Sequence, residues 1–298
     1  MNTSDLDNTL RSLKFSLEAG RRSSHTVRQY SDATRAFALW CTEAVPKGKF
    51  PDDVTRHHVN QWLAELQQTC APATVRHKYS GLKAFFNWYE EDAQKKWVNP
   101  MAKMKAPEVP ETQKDIVPAA KMNEILKALD ACKRRREAAM VSLFYDCGLR
   151  ASELCGIRKD DVDWDECSIT LADTKNHDTR QVPFGPSTAK RLDSWRRARK
   201  DKDSQWLFTG TKGQLTRSGI LQIIKKTFAE YGVEGIGPHD LRHTFATHYL
   251  DDPNAREGDL QTIAGWRSPE MARRYSRSGQ NRRAVAAHKR LSPVEKLR

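Results

Sequence analysis

Nowhere in this 298-residue chain do eighteen apolar residues run consecutively, so the sequence offers no membrane-spanning helix. Its opening, MNTSDLDNTLRSLKF, carries acidic residues and no apolar run, which excludes a secretory leader and predicts a cytoplasmic protein. Cysteine is sparse and unpatterned. Cys41, Cys70, Cys132, Cys147, Cys155 and Cys167 include no C-x-x-C spacing and fall mostly in apolar helical text, which predicts reduced core thiols rather than disulfides. There is no P-loop, no dinucleotide fingerprint and no internal repeat, which argues against nucleotide-cofactor folds and solenoids.

Positive charge is what the chain has in quantity. Lys and Arg number 51 against 38 Asp and Glu, a net +13, with a pI near 9.5. Both the first 110 residues and the remainder are basic, which favours a polyanionic partner over a small acidic substrate. The length exceeds one typical domain, and 38% apolar residues with eight Trp suffice for packed cores.

Taken in order, Leu6, Leu10, Leu13 and Leu17 predict a first amphipathic helix ending at Gly20. Ser23 or Ser24 caps a second, with Val27, Tyr30, Phe37 and Trp40 on its apolar side. Val59, Trp62, Leu63 and Leu66 mark a third. Val75, Tyr79, Leu82, Phe86 and Tyr89 mark a fourth, after Pro72. Residues 1–99 are therefore expected to form an all-α domain. Arg28, Arg35, Arg76, Lys78 and Lys83 decorate the second and fourth helices, as a solvated face or as contacts to nucleic acid. Residues 100–116, rich in proline and without periodicity, read as a linker.

The second domain, 117–298, opens with two helices, the second stopping at Gly148. The run Lys133-Arg134-Arg135-Arg136 before it reads as a solvated helix start. Ser168–Leu171 and Gln181–Phe184 then read as strands joined by a turn at 175–178. Further helices carry Leu192 and Trp195, then Ile220, Ile224 and Phe228 behind a Thr216 cap, then Leu241, Phe245 and Tyr249 behind Pro238. The fold class is mainly α with a small β-sheet.

Four groups carry chemistry: Arg150 with Glu153, Lys175, His239 with Arg242, and Trp266 with Tyr275. On a helix, His239, Arg242 and His243 share one face near its N-terminus, a seat suited to phosphate. Two arginines, a lysine and a histidine can neutralise charge growing on a phosphodiester under attack. A tyrosine hydroxyl, with an ordinary pKa of about 10, attacks only where its proton is accepted and the phosphate is activated. Lys175 on a turn suits a general acid, and Glu153 one helical turn after Arg150 can fix that guanidinium. His239 and His243 also approach an H-E-x-x-H zinc motif. However, Asp240 stands for the Glu, Arg242 would set a cation beside the metal, and no third ligand follows, so no metal is expected.

GLRASEL, TKNHDTRQVPF, HDLRHTFATHYL and AGWRSPEMARRY follow in that order, with Tyr275 nine residues past Trp266. In this register the chain resembles the tyrosine recombinase (phage integrase) family over essentially its whole length, as a compact two-domain, Xer-like member. The resemblance implies an N-terminal core-DNA-binding domain and a mixed α/β catalytic domain. It implies Arg150 and Arg242 as phosphate-clamping arginines, and Lys175 as the proton donor to the leaving 5′-oxygen. His239 would assist proton transfer, Glu153 would support, and Tyr275 would form a 3′-phosphotyrosyl link. Neither metal nor other cofactor is implied. The partners implied are double-stranded DNA with core recombination sites, a homo-tetramer across two such sites with strand exchange through a Holliday junction, and an accessory directionality factor. A location in the cytoplasm, or the host's if a phage encodes it, goes with this. Trp266 departs from the family's usual His. An indole N–H donates but cannot shuttle a proton, so positioning is its expected role. His243 is expected to bond within its helix. Ala284–Leu291 is the candidate segment for docking on a neighbouring copy. A non-cleaving DNA-binding regulator and a type IB topoisomerase-like enzyme are the alternatives. Phage or mobile-element integration and chromosome-dimer resolution both fit the motifs.

Overall fold

A computed structural model of the chain describes residues 3–45, 48–92, 97–110, 116–172, 179–210, 213–252, 254–273 and 275, with isolated positions beyond. The chain divides into two compact units, Met1–Thr112 and Gln113–Arg298.

The first unit is built from α1 (Thr3–Ala19), α2 (Ser24–Ala44), α3 (Arg56–Thr69) and α4 (Pro72–Asp92). The caps follow from the text. Ser23 Oγ accepts from the Thr26 amide at 3.2 Å, and His58 Nδ1 accepts from the Thr55 amide at 3.2 Å, so helix-end donors that would otherwise be orphaned are satisfied. The apolar spacing converges on an aromatic core: Phe37 meets Trp62 edge-on with centroids 5.0 Å apart, and Phe86 at 6.1 Å.

The expected linker begins later than residue 100. Met101 is fully buried in this core, and Asn99 donates to Asn87 Oδ1 at 3.0 Å and Glu90 Oε2 at 3.1 Å. Tyr79 Oη donates to the Met104 carbonyl at 2.5 Å. Prolines break the periodicity here, but the methionines between them are still apolar and still pack. A proline-rich stretch therefore reads as looser than it is.

In the second unit, α5 (Ala119–Ala131) and α6 (Arg135–Cys147) lead to α7 (Ala151–Gly156) and a 3₁₀ turn (Lys159–Asp161). β1 (Val162–Asp163), β2 (Ser168–Ala172) and β3 (Thr179–Pro183) make an antiparallel sheet in that order, with Ile169 opposite Val182. α8 (Pro186–Ala198) is followed by a second small antiparallel pair, β4 (Thr209–Gly210) and β5 (Gly213–Gln214). α9 (Arg217–Ala229), α10 (Pro238–Asp251) and α11 (Glu257–Ala264) complete the described elements, and α11 has no counterpart among the expected helices. α6 is the core helix, buried at nearly every position from Ala138 to Phe144. It ends at Gly148 in the left-handed conformation (φ 59°). A Cβ there would stand 2.2 Å from the Phe245 ring, so only glycine lets α10 come this close.

Two expectations change here. Cys41, Cys147 and Cys155 are buried, but Cys70 and Cys167 are half-buried and Cys132, at the C-terminus of α5, is exposed. Burial alone pushes the Cys41 thiol up to about 12, as an inert core sulfur requires. Arg134 is not a solvated helix start: its guanidinium pairs with Glu230 and donates to Thr227 Oγ1 on α9 at 3.2 Å.

Arg199, in the run RRARK, is 2% exposed. It donates to the carbonyls of Asp201 (2.9 Å), Ser204 (3.2 Å) and Trp206 (2.7 Å), folding residues 199–207 around one guanidinium. Arg199→Met keeps the stem and strands these acceptors. It should lower unfolding free energy by about 2–4 kcal/mol, read as a fall in urea midpoint; a loss below about 1 kcal/mol would mean that water replaces the guanidinium. No helix among the described residues is long and apolar enough to cross a membrane.

Candidate active site

α10 starts as its sequence dictates. Pro238 occupies the first turn, and the Gly237 amide donates back to Asp240 Oδ2 at 3.0 Å. His239 is thereby exposed at the helix start, while Arg242 one turn on is 4% exposed. Arg242 donates from Nη1 to the Gly148 carbonyl at 2.5 Å and from Nη2 to the Ala264 carbonyl at 2.6 Å, and its guanidinium lies 5.3 Å from the Trp266 ring centroid. Burial, and then the positive charge of Arg150, pull its pKa down to about 10.

Arg150 caps α7. Its amide and its Nη1 both donate to Glu153, at 2.7 Å each, and Nη2 donates to the Gly265 carbonyl at 3.0 Å. The expected Arg150–Glu153 pair is thus a helix cap and an ion pair at once.

A residue not singled out by its chemistry joins them. Arg180 on β3 approaches Glu153 Oε1 with Nη2 at 2.9 Å, as a close ion pair without hydrogen-bond alignment, and donates from Nε to the Ile263 carbonyl at 3.3 Å. Its only sequence signal is its place in TK…R-x-V-P. Three successive carbonyls at the C-terminus of α11, those of Ile263, Ala264 and Gly265, are therefore taken by Arg180, Arg242 and Arg150 respectively. Those carbonyls have no intrahelical partners and lie at the negative end of the helix dipole, which suits cations. Gly265 closes the helix at φ 63°, and a Cβ there would meet Arg180 Cζ at 2.7 Å.

Beyond that turn, Trp266 and Tyr275 stack face to face with centroids 4.8 Å apart and planes within 4°. Both are nearly buried, at 6% and 5%. His243 meets the Tyr275 ring edge-on at 4.8 Å, and its Nδ1 lies 3.3 Å from Thr247 Oγ1. The bond within the helix is the expected one; the contact with Tyr275 is additional. Trp266 is thus the floor on which both Tyr275 and Arg242 rest.

A pocket of about 220 Å³ brings together Arg150, His239, Arg242, Trp266 and Tyr275, walled by Leu149, Pro238 and Met271. Glu153 and His243 support it from behind. Lys175 lies outside the described residues, as does most of Ala284–Leu291. In the first unit, Arg28 is exposed, 3.9 Å from Asp32, and Arg35 pairs with Asp7 at 3.2 Å. Arg76 and Lys83, two turns apart on α4, donate to the carbonyls of Pro107 (3.0 Å) and Met104 (3.2 Å). Lys78 is half-buried.

The chain matches the phage integrase family over residues 116–282 and the phage integrase N-terminal SAM-like domain over 10–96. It is 30% identical to tyrosine recombinase XerC of Alcanivorax borkumensis, over 87% of this chain and 86% of that protein. It is 29% identical to a tyrosine recombinase of Pseudothermotoga lettingae, over 79% and 82%. Among solved structures, XerH site-specific recombinase bound to palindromic difH substrate covers 96% of this chain, which covers 84% of it, at a TM-score of 0.75 and 16% identity. The Tn1549 transposon integrase with transposon right-end DNA aligns over 95% and 99%, at a TM-score of 0.73 and 18% identity. At these identities the two structures establish a common fold.

Proposed function

The chain belongs to the phage integrase family and is a tyrosine-type site-specific DNA recombinase, and on that premise we propose that Tyr275 is its nucleophile and that Arg150, His239 and Arg242 hold the phosphate it attacks. The observation that carries this assignment is Tyr275 itself, buried against Trp266 and His243 in the same pocket as the two arginines and His239.

Tyr275 Oη adds to phosphorus, the bond from phosphorus to the 5′-oxygen breaks, and a 3′-phosphotyrosyl ester remains. The hydroxyl proton leaves by way of His239, and the departing 5′-oxygen takes a proton from Lys175. Arg150 and Arg242 donate to the non-bridging oxygens as charge accumulates there. A 5′-hydroxyl from the partner duplex then attacks the ester and releases Tyr275, so the second half mirrors the first. Bond energy is conserved in the ester, and neither metal nor nucleotide is consumed. The substrate is a pair of double-stranded core sites held by a tetramer, with exchange through a Holliday junction. Arg28, Arg35, Arg76, Lys78 and Lys83 supply charge for backbone contacts from the helical unit.

Wild-type protein on a duplex nicked next to the cleavage point should trap a covalent adduct. The DNA-bearing peptide should map to Tyr275, and the released strand should carry a 5′-hydroxyl. Attachment elsewhere, or a 5′-phosphate linkage, overturns the assignment. Excess chelator should leave the trapping rate unchanged within about twofold, since the clamp is made of side chains; a larger loss would place a metal in the reaction.

A further inference from the structure

The R-x-V-P arginine takes no part in the chemistry just described, yet it is among the most constrained side chains around the site. We propose that Arg180 is a positioning residue for catalysis. It would act through Glu153 on Arg150 and, through α11, on the turn that carries Trp266. The inference rests on the pocket assigned above.

Glu153 is 11% exposed, and its Oε1 is shared by Arg150 (2.7 Å) and Arg180 (2.9 Å). A single carboxylate held from one side could follow Arg150 as that guanidinium turns toward a phosphate. Held from both sides, it stays where it is, and Arg150 must swing about a fixed point. Arg180 also holds the Ile263 carbonyl, while Arg150 and Arg242 hold the next two in sequence. Of the three, Arg180 alone does not line the pocket. When DNA enters, Arg150 and Arg242 can exchange a carbonyl for a phosphate oxygen. Arg180 then remains to keep the end of α11 in register with the tyrosine stacked beyond it. Gly265 adds a second constraint: its left-handed turn and missing Cβ leave the space that the Arg180 guanidinium fills.

The expected effect of Arg180→Gln is a 10–100-fold fall in single-turnover cleavage of the nicked duplex, with DNA affinity and melting temperature close to wild type. Arg180→Lys restores the ion pair but not the Ile263 bond, and should recover about tenfold of that loss. Coupling separates positioning from general support: Glu153→Gln with Arg180→Gln should lose less than the product of the two single losses, whereas His239→Gln with Arg180→Gln should combine both losses in full. Cleavage by Arg180→Gln within twofold of wild type overturns the proposal. So does a loss that tracks melting temperature in both Arg180 variants, or one fully additive with Glu153→Gln. If the trapped DNA maps to a residue other than Tyr275, the pocket assignment fails instead, whatever Arg180 does.

Discussion

A Tyr275→Phe chain should bind its DNA site normally and form no covalent adduct with a nicked duplex, even after hours in which wild type traps all of it. The substitution is unusually clean here. Tyr275 stacks on Trp266 by its ring and receives His243 at its ring, and phenylalanine keeps both contacts while losing only the hydroxyl. Melting temperature should therefore move by no more than a degree or two, and the pocket walls should stay in place. A loss of adduct at unchanged affinity then reports chemistry rather than packing. Mixing tests which chain supplies the nucleophile. Tyr275 lies against Trp266 and His243 of its own chain, so Tyr275→Phe mixed with Arg242→Ala should still give no adduct. Recovery of trapping in the mixture would show that the tyrosine crosses to a partner's phosphate. Residual adduct with Tyr275→Phe alone would remove it as nucleophile.

Much of this pocket is legible in the amino-acid sequence, because its residues sit on elements whose local rules are strong. Pro238 at a first turn and the recurrence of Leu241, Phe245 and Tyr249 place α10, and α10 places His239, Arg242 and His243 on one face. Gly148 announces the end of α6 and hence the start of the Arg150–Glu153 turn. What the sequence conceals is where long cations end up. Arg180, Arg134 and Arg199 each sit in hydrophilic text that reads as surface. Arg180 and Arg134 meet carboxylates far along the chain, and Arg199 gathers carbonyls of the loop that follows it. Arginine can do this because one planar head carries five donors, so a buried site costs less than composition suggests. The helix α11 escapes for a different reason. Eight residues with Leu260 and Ala264 as its only fully buried side chains carry too little periodicity to stand out.

On the proposed assignment, the same bonding sets the arginines for a phosphate. Arg242 and Arg150 are held in place by donors that rest on the Gly148, Ala264 and Gly265 carbonyls. Those acceptors are neutral. Burial of a cation against neutral oxygens, beside a second cation, leaves a field that an entering phosphodiester relieves. The lowered pKa of Arg242 expresses this. With the native value near 10 and the unfolded value well above it, both states hold the proton at pH 7, and the native state bears the whole penalty. As pH rises from about 10 towards the higher unfolded value, the unfolded chain binds more protons than the native one, so this group's contribution to stability improves over that window. At working pH the guanidinium is fully charged, so wild-type cleavage should not vary with Arg242 ionisation below about pH 9.

Arg242→Lys should behave differently, with the larger loss of the two arginines in the pocket. A lysine ammonium is a compact point charge and cannot span the Gly148 and Ala264 carbonyls while facing a phosphate. Removing a fixed donor from a developing oxyanion costs about 10²–10³ in rate. Stranding a carbonyl on α6 or α11 costs about 1–3 kcal/mol of stability. Single-turnover trapping by Arg242→Lys should therefore fall at least 10²-fold, with a lower urea midpoint. A pH profile then distinguishes lost geometry from lost charge. A lysine titrates well below arginine to begin with, and the same burial and the same Arg150 charge would push it lower still. Residual trapping by the variant should decline with rising pH over a range where wild type stays level, because the variant's cation is then neutralised in the ground state. A flat profile with the full rate loss would assign the effect to geometry alone. Wild-type rates in Arg242→Lys would mean that the buried guanidinium braces α6 and α11 without touching the reacting phosphate.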